Sequence, residues 1–172
     1  MAEQKTFQLR PATHADALAI TRIYNAAIEA TSAIMWHDPK PTAYWGDRLL
    51  ITRPAQYPVW VATQGEGNAE QVIGFSALGA YDALCGYVDV AEWSLYIDTD
   101  FRGQGVGRAL SQTILQAGKN AGLRSVLSRV TAGNAASIAL HQSLGFRLVG
   151  TLEKLGEKFG QHHDVLMYQL RC

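Results

Sequence analysis

"EWSLYIDTDFRGQGVGRALSQTILQAGKNAG" (92–122) decides the fold. Its first six residues alternate and read as a strand. "ALSQTILQAGKNAG" reads as a helix that stops near Gly122. Between them lie Gly103, Gly105 and Gly107, bracketed by Arg102 and Arg108. Amides at a helix start point outward without partners, with the positive end of the helix dipole behind them. A phosphate set there accepts several N–H bonds at once, and glycine lets it approach. The junction therefore suits a pyrophosphate. A Walker loop is excluded, because no Lys-Ser or Lys-Thr follows the glycines. A dinucleotide fingerprint is missed, since the spacing is GxGxG and the region about 20 positions on, "GLRSVLSRV", carries no acid. The glycines alone also fit a tight turn with no ligand.

Working outward, "FQLR" (7–10) predicts a short strand. In "THADALAITRIYNAAIEA", Thr13 and Asp16 form a capping-box-like start, and Ala17, Ile20, Tyr24, Ala27 and Ile28 fall on one helical face. A second helix is expected over roughly 42–52. "PVWVAT" and "QVIGFSAL" read as a hairpin across "QGEGNAE", and "GYVDVAEWSLYI" as a third strand. After the glycine loop and its helix come the strand "RSVLSRV" and the helix "NAASIALHQSLGF", capped by Asn134 and ended at Gly145. Closing strands are expected around 146–152 and 164–170. The order βααβββαβαββ predicts an α/β (α+β) chain with a mixed sheet flanked by helices.

With 172 residues, the chain reads as one domain over 1–172. Fifteen basic residues balance fifteen acidic ones, which argues against a nucleic-acid face. No 18-residue apolar run predicts a membrane span, and "MAEQKTFQLR" has no apolar centre of a signal peptide. Cys85 and Cys172 have no metal-ligand spacing and read as reduced thiols of a cytoplasmic protein, with no metal.

Two separated motifs carry a resemblance. Arg102-Gly103-Gln104-Gly105-Val106-Gly107 resembles the R/Q-x-x-G-x-G/A loop of the GCN5-related N-acetyltransferases (GNAT), and "NAASIALHQSLGF" resembles that family's N-x-x-(A/S)-x-x-L-(Y)-x-x-x-G-F helix. "IEATSAIMWHDP", "AEWSLYI", "LHQSLGF" and "GEKFGQHHDVLMYQL" are similar to its phosphinothricin and methionine-sulfoximine N-acetyltransferase branch, which acetylates small amino acids. The resemblance implies a GNAT fold with a centrally splayed sheet. It implies that residues 103–108 hold the pyrophosphate of acetyl-CoA, and that Leu95, Tyr96 and Ile97 pair with the pantetheine arm like an added strand. Asn134 and Ser137 would sit near its sulfur end; for Asn134 the reading as a plain helix cap stands beside this one. A homodimer is likewise implied.

Acetyl transfer to an amine needs a base, oxyanion stabilisation and a departing thiolate. Glu92, Ser94 and Tyr96 share one face if the strand is regular. A buried carboxylate is raised toward neutral, which suits a base, unless a structural ion pair holds it. The branch resemblance implies the base role for Glu92, acting through a water, with a backbone N–H near Leu95 as oxyanion donor. His141 stands where many relatives carry a tyrosine that protonates the thiolate; it reads as that acid or as a hydrogen-bonded core histidine, with Tyr96 as the fallback acid. Cys85 lacks a base at predictable spacing and is not expected to be a nucleophile.

The resemblance places the acceptor between Ser32–Trp36 and Cys85–Tyr87. Ile34, Met35 and Trp36 offer walls, or pack against the core, and Cys85, Gly86 and Tyr87 lie opposite. Relatives carry Arg near the second loop; here "DALCGYVDVAE" has Asp82, Val88 and Asp89 instead. A neutral or basic amino acid, or an amine, fits that change better than an anionic acceptor. His163 with Asp164 lines the far end of the site or lies at the surface. Two other functions stay open: a CoA-binding sensor without catalysis, and an acetyltransferase for peptide N-termini or lysines.

Overall fold

The computed structural model describes residues 7–50 and 56–172. Its elements are β1 (Gln8–Pro11), α1 (Ala17–Ala30), α2 (Ala43–Leu50), β2 (Val59–Gln64), β3 (Gln71–Ala80), β4 (Val90–Ile97), α3 (Val106–Asn120), β5 (Ser125–Thr131), α4 (Ala135–Ser143), β6 (Arg147–Lys158) and β7 (Gln161–Arg171). The element order is the one predicted. Residues 51 and 52 of the expected second helix lie outside the described residues.

All seven strands join one sheet in the order β1-β2-β3-β4-β5-β7-β6. Only β4 and β5 run parallel, because α3 carries the chain between them; the other neighbours are antiparallel. The fold is thus a mixed α/β sheet flanked by helices. The predicted apolar stripe of α1 packs into a core with Val59, Val61 and Phe75 on one face of the sheet. Ile114 and Leu115 of α3 pack with Trp93, Val126 and Tyr168 on the other. The backbone N–H of Thr13 donates to Asp16 at 2.7 Å, one half of the anticipated capping box.

Two boundaries differ from expectation. β4 begins at Val90, because Cys85–Tyr87 forms a single 3₁₀ turn. β6 and β7 are far longer than predicted, and meet in a two-residue turn in which Phe159 (φ 53°) and Gly160 (φ 71°) are both left-handed. A phenylalanine at positive φ is rare, so "KFGQ" gave little sign of a tight hairpin. Among the described residues no helix is long and apolar enough to cross a membrane.

The parallel pairing of β4 with β5 covers only Val90–Glu92 against Ser125–Leu127. Past that point the strands part. From Trp93 to Ile97 the β4 backbone stays paired to β3 but has no partner strand on its β5 side. This opening in the middle of the sheet positions everything that follows.

Candidate active site

The glycine loop lies just past the open end of β4. Gly105 caps α3 with φ 83° and ψ −10°, a left-handed conformation that side chains with a Cβ resist. The first bond within the helix is Ala109 N–H to Gly105 carbonyl at 3.1 Å, so the amides of residues 106–108 have no intrahelical partner. A Cβ built on Gly103 or Gly105 would meet nothing within 4 Å, so open space faces the loop. Gly107 serves differently: a Cβ there would touch Leu95 at 3.4 Å, and its absence lets α3 lie close on β4. Arg102 Nε donates to the Ile97 carbonyl at 3.2 Å, and Gln104 Nε2 to the Asp100 carbonyl at 3.0 Å. Those bonds draw the loop against the end of the strand. Arg108 is exposed beside the free amides.

Glu92, Ser94 and Tyr96 point to the α1–α2 side of β4, opposite Trp93. Of the two readings of Glu92, a buried carboxylate or an ion-paired one, the structure shows the ion pair. The Glu92 side chain is one-third exposed, and Arg129 of β5 reaches it across the point where the strands part. Nε and Nη2 of Arg129 stand 2.6 and 2.5 Å from the same oxygen, Oε1. The tip of β4 is aromatic: Tyr96 meets Tyr24 edge-on at 5.1 Å and Phe75 at 5.2 Å. Burial, with Tyr24 and the Glu92 carboxylate nearby, pushes the Tyr96 hydroxyl pKa up. It therefore keeps its proton at neutral pH.

His141 faces the other side of the sheet. Its ring is 4% exposed and lies 4.9 to 5.1 Å from the rings of Trp93, Phe146 and Tyr168. Nδ1 is 2.7 Å from the Ser137 carbonyl, which can only accept, so Nδ1 carries the proton. Nε2 then accepts from the Ser128 hydroxyl at 2.9 Å. Both nitrogens are satisfied, as the core-histidine reading anticipated. Asn134 caps α4 by accepting from the Ser137 N–H at 3.1 Å.

Desolvation lowers the His141 pKa, against the opposing pull of the Ser137 bond. The folded ring is neutral, whereas the unfolded one protonates near 6.5. Its contribution to stability is whole above about 6.5 and is lost as the pH falls through that value toward the lowered folded pKa. His141→Ala is expected to cost about 2–4 kcal/mol, from a cavity and a Ser128 hydroxyl left without its acceptor. Thermal unfolding at pH 7.5 reads the loss. Melts from pH 7.5 to 5 read the titration, and the variant's acid slope should be shallower; equal slopes would remove His141 from the titration.

The acceptor-side residues divide. Ile34 is packed into the core and forms no open wall. Met35 lies over Gly156, where a Cβ would sit 2.6 Å from its Cε. Trp36 is 45% exposed, under Lys40 at 3.2 Å from the ring centroid, and its indole neighbours the Tyr24 hydroxyl. Buried Lys158 donates its ammonium to the Trp36 carbonyl, so the β6–β7 hairpin clasps this segment. His37 stands 3.3 Å from Glu157 along the same seam. Cys85, Gly86 and Tyr87 are exposed, and Tyr87 meets Tyr81 edge-on at 5.5 Å. His163 Nε2 sits 3.3 Å from the Lys158 carbonyl, and Asp164 accepts from Lys154 N–H at 2.7 Å, so both brace the hairpin. The acids of the second loop are engaged too: Asp82 accepts from Leu84 N–H at 2.9 Å, and Asp89 pairs with Arg124 at 2.8 Å.

Arg129, Lys158 and Arg124 were missed from the sequence. Arg124 opens the segment "RSVLSRV", and within it Arg129 left a trace as a charge on the predicted strand. Nothing in the sequence says that it meets Glu92, since the two are 37 positions apart.

A parallel strand pair opened at its centre, with a left-handed glycine cap at the helix between, defines an acyl-CoA transferase class of site. Residues 9–167 match the acetyltransferase (GNAT) domain, and the chain belongs to that family. It is 36% identical over 163 residues to an L-methionine sulfoximine/L-methionine sulfone acetyltransferase of Pseudomonas aeruginosa, covering 94% of this chain and 92% of the relative. It is 33% identical over 167 residues to an L-amino acid N-acyltransferase of Escherichia coli, covering 95% and 92%. A phosphinothricin acetyltransferase from Sinorhizobium meliloti, solved with acetyl-CoA, superposes with a TM-score of 0.88 at 30% identity, covering 96% of this chain and 88% of that one.

Proposed function

We propose that residues 1–172 act as one acetyltransferase domain that moves acetyl from acetyl-CoA to the α-amino group of a small amino acid. The observation that carries the reading is the opening of β4, with Glu92 where it begins and, past its far end, a helix start whose first amides have no intrahelical partner. Relatives named for amino-acid acetylation support it over a silent sensor or a peptide acetyltransferase. The amides of 103–108, with Arg102 and Arg108, would take the pyrophosphate. Leu95, Tyr96 and Ile97 would pair with the pantetheine arm, and Asn134 and Ser137 would lie toward its sulfur.

Glu92 takes a proton from the acceptor ammonium through a water, on Oε2, the oxygen that Arg129 does not hold. A backbone N–H near Leu95 meets the oxyanion as the amine adds. The departing thiolate takes its proton from solvent or, on the Glu92 face of the strand, from Tyr96. The position of Tyr96 favours it over His141, whose nitrogens are both engaged on the far face. The acceptor would lie between Trp36 and Tyr87.

We also place the protein in the cytoplasm as a homodimer. Free Cys85 and Cys172 support the first. Leu148, Val149, Leu152 and Leu155, exposed on the edge strand β6, support the second. Purified protein with acetyl-CoA and a panel of free L-amino acids, amines and short peptides tests the function by thiol release. Release is expected with one or more small amino acids. Release with peptides alone, or with nothing, overturns the reading.

A further inference from the structure

An α-amino acid carries two opposite charges on one carbon. A site for it needs an anion for the ammonium and a cation for the carboxylate, side by side. The second acceptor loop, 82–92, supplies no cation. The cation is instead on β5. Arg129 stands on the same face as Glu92, at the mouth of the open strands, and its side chain is 58% exposed. It holds Glu92 through Nε and Nη2 on Oε1 only. A guanidinium has five N–H donors, so Nη1 and the outer edge stay available to a second carboxylate. Oε2 of Glu92 stays available to the ammonium.

Four other cations are already engaged. Lys158 is spent on the Trp36 carbonyl, and Lys40 lies over the Trp36 ring. Arg48 lies over Tyr44 and donates to its carbonyl at 2.7 Å, and Arg124 holds Asp89.

We propose that the Glu92–Arg129 pair is a zwitterion clamp in which Arg129 binds the acceptor's α-carboxylate, making free amino acids the acceptors and excluding plain amines and peptide N-termini. This rests on the acetyltransferase reading above. The clamp presents minus and plus to the plus and minus of the substrate, so each carboxylate finds a cation. An amine or an α-amide leaves Arg129 unmatched.

The test uses the full chain with acetyl-CoA, and L-methionine sulfone and its α-carboxamide as paired acceptors, followed by the same pair for any other panel amino acid that turns over. Wild type should favour the acid over the carboxamide. Arg129→Gln should lower kcat/KM for the acid by roughly 10- to 100-fold more than for the carboxamide, mainly through KM; the carboxamide reads the loss of the ion pair with Glu92 alone. Arg129→Lys should restore part of the preference. An equal fall for both acceptors would make Arg129 a mere support for Glu92, and no fall for either would remove it from the site; both results overturn the clamp. Wild type that acetylates amines or peptides but no free amino acid defeats the amino-acid reading itself, which the two variants alone cannot do.

Discussion

Glu92→Gln is expected to lower kcat by about 10²-fold or more, the usual scale for a lost general base. The amide keeps the size and one acceptor oxygen, but it cannot take the ammonium proton. The substitution also breaks the ion pair with Arg129. That pair is exposed on the arginine side, and such pairs contribute about 1 kcal/mol or less. The variant should therefore melt close to wild type while its turnover collapses. Steady-state rates by thiol release at pH 7.5, beside a melting curve, separate chemistry from folding. An unchanged rate would take the base role from Glu92.

The second large effect belongs to the glycine loop. Gly105→Val places a β-branched side chain at φ 83°, which costs about 1–3 kcal/mol of stability. Its Cβ has no protein atom within 4 Å, so the side chain would project into the open space before the amides of 106–108. CoA affinity by calorimetry is expected to fall about 10-fold or more, because several N–H bonds to the pyrophosphate are lost together. Gly105→Ala should fall between, since it carries the backbone strain with less bulk. CoA affinity equal to wild type in folded Gly105→Val would remove the pyrophosphate site from this loop.

Legibility followed the range of the interactions. The α1 stripe, the Asn134 cap and the element order were readable because helix faces, caps and turns involve neighbours within a few residues. The long β6–β7 hairpin was not, because Phe159 carries a conformation that its residue type rarely adopts. Glu92 was legible as a carboxylate on a strand, yet its partner came from another strand. Ile34 read as a possible wall and proved to be core, because only packing tells one apolar loop residue from the next.

By itself the sequence determined the local structure of the proposed donor side. The left-handed Gly105 before α3 and the Asn134 cap of α4 are local patterns that a helix start imposes on its own few residues. Tertiary structure alone decided the charges around the proposed acceptor site. Parallel pairing that ends at Glu92 brings Arg129 to Oε1, sends His141 to the opposite face, and sets Arg124 on Asp89. Those meetings join residues far apart in the chain, and an ion pair or a buried ring leaves no periodic mark on the sequences that make it.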